Sequence, residues 1–366
     1  MTAHAESVLA AAERLRERSD YPGSLKLFRK AYAAFKGRHD LQGMLDSLLA
    51  MGDICRMVGS FAQALVHYTE ALEMCTALDD RLAAADALAG LGLSHRALGQ
   101  WAEAVRLIGK ARAEYARAGD ARGVAFSYWA EAGALRFGGR IPRAIKMFHE
   151  ARRRFDALDF RSGGAYALCG LGGAHRIAGK FQESFDYYTE ANDLFRKLRD
   201  RFGMAYSHCG VGNAYRMQYD FRRALQHFSK AEKLYAEFGD IVSYSYTIWS
   251  MAILHTMTCE YDHAMKEIVI ARKNFRATRD PRGLIYCELA QGQIEYLKGR
   301  TAKAAERFRK AFAQAESWQF AVERCHADAL LQAALNLPLP GRYSGASCYR
   351  KLGLALDFIE IPFNLP

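Results

Sequence analysis

Four stretches of the chain contain residue types that do chemistry in other settings. Gly173-x5-Gly179-Lys180-Phe181 approaches a phosphate-binding loop, in which backbone N–H groups and a lysine cradle phosphates. It is one residue too long, and Phe181 stands where a Ser or Thr would meet Mg²⁺. His149-Glu150 opens like a zinc-protease helix, but Arg153 takes the place of the second histidine. Cys259-x3-His263 has the spacing of two metal ligands, yet no second pair lies near it in sequence. His95, His175 and His255 recur at one column, which points to packing. With no nucleophile–base pair in view, the sequence predicts no catalytic residue, no metal site and no cofactor: a protein that holds another molecule.

The elements that must carry these residues follow from a repeat. Turns recur every 40 residues at Ser19-Asp20, Gly59-Ser60, Gly99-Gln100, Gly139-Arg140, Gly179-Lys180, Tyr219-Asp220, Cys259-Glu260 and Gly299-Arg300. After each comes a small residue (Ser24, Ala64, Ala104, Ala144, Ser184, Ala224, Ala264, Ala304), then a bulky one four further on (Phe28, Tyr68, Ile108, Phe148, Tyr188, Phe228, Ile268, Phe308). Three beyond that lies an unbroken alanine column: Ala31, Ala71, Ala111, Ala151, Ala191, Ala231, Ala271 and Ala311. Spacings of four and three mark one face of a helix, and a methyl at every turn lets a second helix approach closely. The other helix of each unit begins at an Asp (Asp40, Asp80, Asp120, Asp200, Asp240, Asp280, with Asp159 shifted by one), which can cap free N–H groups of its first turn. A glycine column inside that helix (Gly52, Gly92, Gly172, Gly212, Gly292) costs helix stability and so predicts tight contact with the paired helix.

The glycine column, the apolar or aromatic residue after each turn (Tyr21, Phe61, Trp101, Ile141, Phe181, Phe221 and Tyr261, with Thr301 the exception) and the Ala–x3–Phe/Tyr–x2–Ala series resemble the tetratricopeptide repeat. The 40-residue length and the Gly-Asp starts at Gly119-Asp120 and Gly239-Asp240 are similar to the longer repeats of LGN/Pins-type adaptors. The resemblance implies an all-α, right-handed helical solenoid of eight helix-turn-helix repeats plus a capping helix near 318–336. The first helices of such a solenoid line a concave surface that binds peptides or proteins. The expected organisation is a superhelix over 1–336 followed by an apolar tail, 337–366, broken by Pro and Gly. An Asn ladder of the LGN type is missing, since that position reads Ala50, Gly90, Ala130, Gly170, Gly210, Ser250 and Ala290, and of a chaperone-type carboxylate clamp only Asn213 is present.

Composition sets the remaining limits. The chain has 366 residues, 51% hydrophobic and 25% charged, which argues against disorder over most of its length. A formal net charge of +11 and a pI near 9.2 favour acidic partners. The first residues lack a basic, apolar leader and no run approaches a membrane span; eight cysteines without a compact framework agree with reduced thiols. The expected setting is cytoplasmic.

At about 100° per residue, one face of each first helix points away from its pair and should be free. In the central repeats that face reads Phe126, Trp129 and Arg136; Tyr166, Cys169 and Arg176; Tyr206, Cys209, Asn213 and Arg216; then Tyr246 and Trp249, continuing to Tyr286. Down the stack this makes an aromatic row and an arginine row (with Arg56 and Arg96), about 15 Å apart from ten residues at ~1.5 Å each. Aromatic and arginine side chains dominate binding hot spots, and arginine forks clamp carboxylates. Structural stacking of the aromatics and local ion pairing of the arginines is the competing explanation. The predicted function is a non-enzymatic scaffold or adaptor that takes a protein or peptide, acidic in character, in this groove. The second reading is an anionic ligand or single-stranded nucleic acid, with bases on the aromatic row and phosphates on the arginines.

Overall fold

The computed structural model describes residues 2–18, 20–335 and 344–354, and every regular element among them is a helix. The first helices of the repeats are α1 (Thr2–Glu17), α3 (Leu41–Met57), α5 (Arg81–Ala97), α7 (Ala121–Phe137), α9 (Arg161–Ile177), α11 (Arg201–Met217), α13 (Ile241–Met257) and α15 (Pro281–Leu297). The second helices are α2 (Tyr21–Lys36), α4 (Phe61–Leu78), α6 (Trp101–Arg117), α8 (Ile141–Ala157), α10 (Phe181–Leu198), α12 (Phe221–Phe238), α14 (Tyr261–Ala277) and α16 (Thr301–Ser317). Two more follow, α17 (Ala321–Ala334) and the short α18 (Ser344–Lys351). No helix among the described residues is long and apolar enough to cross a membrane.

The repeat columns become the core. Every residue of the alanine column is fully buried, as is the small column seven residues before it. The glycine column faces the bulky one: a Cβ on Gly172 would lie 2.7 Å from the Tyr188 ring, and one on Gly212 2.7 Å from Phe228. Because each alanine sits where helix pairs touch, Ala191→Leu should overpack α10 and cost about 1–3 kcal/mol. Equilibrium unfolding in urea checks this; an unchanged midpoint would reject the register.

The turns are built alike. One residue per turn takes the left-handed conformation, a glycine at 59, 99, 139, 179 and 299 but Tyr219 (φ 63°) and Cys259 (φ 65°) in two repeats. Asp40, Asp80, Asp120, Asp200 and Asp280 accept hydrogen bonds from the backbone N–H three residues on, at 2.8–3.0 Å. Asp159 does not cap: it occupies the left-handed position itself (φ 47°), leaving Phe160 at the helix start without a side-chain cap, and its carboxylate meets Arg161.

The chain divides into two compact units, residues 1–131 with 238–240, and residues 132–237 with 241–366. The first is a stack of helix pairs around Phe28, Leu45, Leu48 and Met51 in the early repeats and Ala85, Ala89 and Tyr115 later. In the second, the helices curl far enough that the turn opening α8 meets the last helices. A Cβ on Gly139 would lie 2.9 Å from that of Ala321, the Arg282 guanidinium covers the Phe137 ring at 4.7 Å, and Gly353 abuts Pro142.

Cys325 and Cys348 form a disulfide joining α17 to α18, against the expectation of eight reduced thiols; the partners are 23 residues apart and meet only because α18 folds back on α17. The Pro/Gly-broken segment 337–343 and the apolar residues Leu356, Phe358 and Ile359 lie outside the described residues, whereas Leu354 is buried.

Candidate functional site

The face expected to be free is not. In the second unit the curl of the helices turns it inward, so its side chains range from half-buried to wholly buried. Phe126 and Trp129 belong to the first unit, where their rings lie 5.6 Å apart and Phe126 packs on Ala85, Ala89 and Tyr115.

The aromatic row in the second unit is a linkage between repeats. The Tyr166 hydroxyl donates to Oδ2 of Asp200 at 3.1 Å and the Tyr246 hydroxyl to Oδ2 of Asp280 at 2.9 Å, each 34 residues ahead. The same aspartates cap α11 and α15 through their other oxygen, so one carboxylate both starts a helix and receives the tyrosine of the repeat before. Burial and that carboxylate push both phenols above their ordinary value. Each ring also packs edgewise or tilted on the phenylalanine of the next second helix, Phe195 or Phe275, at 4.8 Å. Tyr206 packs against the cluster around Leu168, Cys169, Tyr188 and Phe195. Trp249 donates from Nε1 to the Tyr286 carbonyl at 3.0 Å, with the two rings 4.7 Å apart.

The arginine row has two fates. In the first unit Arg56 pairs with Asp53 of its own helix. In the second, Arg136 lies over α9 so closely that a Cβ on Gly173 would sit 2.2 Å from its Nη1 and the guanidinium would have to shift. Arg216 is 0% exposed and donates to Asn213 Oδ1 at 3.1 Å. Burial, and then the charge of Arg176, bring its guanidinium down to about 9 from an ordinary 12.5. The charge of Arg176, which is half-buried, also acts on Tyr188, Cys209, Tyr286 and His326, groups from four other helices. Cys169 and Cys209 line this region with thiols raised by burial; Cys209 Sγ accepts from Thr247 and Asn213.

Residues that the sequence reading missed complete the interior. Glu323 of α17, fully buried, accepts from Arg282 Nε at 2.5 Å and from the Tyr286 hydroxyl at 2.8 Å. Burial opposes its charge, but Arg282 and His326 hold it below the usual carboxylate range. His326, brought down to about 4 by burial, is neutral, and its Nδ1 shares a hydrogen bond of 2.6 Å with the Tyr349 hydroxyl of α18. Nothing in the repeat pattern flagged these positions, because they reach the interior only through the closure of the second unit.

Residues 165–237 match the tetratricopeptide repeat model, so that segment is built of this repeat. The match is to the repeat as such, and does not single out the LGN/Pins branch. No curated protein matches the chain by sequence. By fold it is similar to a Rap protein complexed with Competence and Sporulation Factor (TM-score 0.60, 11% identity, covering 92% of this chain and 98% of that one). It is also similar to the Rap conjugation gene regulator of plasmid pLS20 in complex with the Phr* peptide (TM-score 0.66, 14% identity, 92% and 98%). A third likeness is to the apo form of the quorum sensor NprR from B. thuringiensis (TM-score 0.50, 13% identity, 90% and 98%).

Proposed function

We propose that this chain is a non-enzymatic, cytoplasmic adaptor that binds a peptide or protein segment bearing carboxylates in the interior of its second unit, against Arg176 and Arg216. The observation that carries the reading is Arg216, wholly buried in this interior, whose guanidinium is lowered to about 9 first by burial and then by the charge of Arg176. A carboxylate near Arg216 would offset the cost of burying its charge, and charge-assisted arginine forks are strong and directional. The fold supports the reading, since one structure that shares it holds the Phr* peptide. The tyrosines favour a peptide over stacked bases: Tyr166 and Tyr246 already spend their hydroxyls on the cap aspartates and pack their rings on Phe195 and Phe275.

Selection from a random peptide display library against the full chain tests the proposal. The expected consensus holds at least one Asp, Glu or free C-terminal carboxylate. A neutral or basic consensus, or no enrichment at all, would overturn it.

A further inference from the structure

Away from the interior, where α13 turns into α14, three side chains that could ligate a metal converge. His255 stands on the last turn of α13, and His263 and Glu267 are one helical turn apart near the start of α14. His255 Nδ1 lies 2.8 Å from Glu267 Oε2, and His263 Nε2 lies 3.8 Å from Glu267 Oε1. The two imidazoles stack, 4.3 Å between centroids and 12° from parallel. One donor atom from each residue falls within 4.8 Å of the other two. Ligands that share a tetrahedral zinc at ~2.0–2.1 Å are about 3.3 Å apart, so a small side-chain rotation closes the set.

Packing alone does not call for these residues. The column of Glu267 reads Leu27, His67, Leu107, Met147, Tyr187, His227 and Arg307 in the other repeats, so no other repeat places a carboxylate there. The column of His255 also holds His175, which packs on the Tyr187 ring at 5.0 Å. In this repeat alone the sequence combines a histidine at 255, a histidine at 263 and a glutamate at 267. Glu267 is 6% exposed, and a carboxylate that deep needs a cation or a full set of hydrogen bonds. His255 is as deeply buried and held in place by it, whereas the His263 side chain is more than half exposed and can swing.

We propose that His255, His263 and Glu267 form a Zn²⁺ site, with two imidazoles and one carboxylate as ligands and solvent completing the tetrahedron on the exposed side. Two nitrogens and one carboxylate oxygen suit zinc over Mg²⁺ or Ca²⁺, which prefer all-oxygen shells. The bound ion ties α13 to α14 across their shared turn. Cys259 is not a ligand: it sits exposed in that turn, and its Sγ accepts from the Tyr261 hydroxyl at 3.5 Å.

The test uses the full chain, free of any affinity tag and stripped with EDTA. It is titrated with ZnCl₂ against a chromophoric chelator, with Co²⁺ as a spectroscopic stand-in. The expected result is one ion per chain at micromolar affinity or tighter, with a visible Co²⁺ band of tetrahedral type. His263→Ala, at an exposed position that should not disturb folding, should weaken binding at least 10-fold, as should Glu267→Gln, while Cys259→Ser leaves it unchanged. Absence of stoichiometric binding, or full affinity in His263→Ala, would overturn the assignment. Loss of binding in Cys259→Ser would overturn it too, by placing the ion in the turn.

Discussion

Glu323→Ala is expected to destabilise the second unit by about 3–5 kcal/mol, the range for removing one partner of a buried ion pair. Glu323 has no exposure, and its Oε1 receives both Arg282 and the Tyr286 hydroxyl. Truncation leaves a guanidinium without its counter-charge and a buried phenol without its acceptor, beside the cation–π contact that Arg282 makes with Phe137. The loss should appear as a lower urea midpoint, and α17 should exchange its amides faster. Adding Arg282→Met to Glu323→Ala should recover part of the loss, because it removes the uncompensated buried charge while the cavity and the unpaired Tyr286 hydroxyl remain. Equal destabilisation in the single and double variants would mean that the pair does not hold α17 in place.

Arg216→Met should act in the opposite direction. A wholly buried cation whose guanidinium is brought down to about 9 opposes folding at neutral pH, so an apolar replacement should raise stability by roughly 1–4 kcal/mol, less the cost of leaving Asn213 Oδ1 without its donor. The sign with pH follows from linkage. The folded value lies below the unfolded value of 12.5, so between the two the unfolded chain binds more protons and wild-type stability rises with pH. The full penalty is present below about 9 and is relieved above it. The advantage of Arg216→Met over wild type should therefore be constant from pH 6 to 8 and shrink by pH 10.5. A gap that is flat or widening across that range would show that Arg216 carries no such penalty. If the gain is real, the wild-type residue is kept at the expense of stability, as expected of a group retained for binding.

Much of the fold was legible because a repeat writes the same physical demand many times. Eight alanines at one column, five glycines at another and aspartates at helix starts each read as contacts or caps, and the structure places them so. The reading failed where a residue's role depends on the summed rotation from repeat to repeat. That rotation is small in each unit and has no single residue behind it. It decides that the arginine face turns inward, that Glu323 and His326 join it, and that Gly139 meets Ala321. Asp159 is a local failure of another kind, since a shift of one residue moved it from the cap into the left-handed position. The Tyr166–Asp200 and Tyr246–Asp280 bonds were missed although both columns were visible. The aromatics and the caps were read as separate features, and only the backbone geometry shows that 34 residues span one repeat-to-repeat contact.

The binding claim meets its most direct test in a titration. A peptide enriched by display selection is labelled and measured by fluorescence anisotropy against wild type and Arg176→Gln, at low and moderate salt. Removing the charge of Arg176 relieves Arg216, so the substitution should not lower the melting temperature. A charge-assisted contact of ~1.5–3 kcal/mol predicts an affinity at least 10-fold weaker, with the remaining binding less dependent on salt. Equal affinity and equal salt dependence for the two proteins would contradict the account, because an acidic segment seated in the interior of the second unit cannot be indifferent to the loss of Arg176.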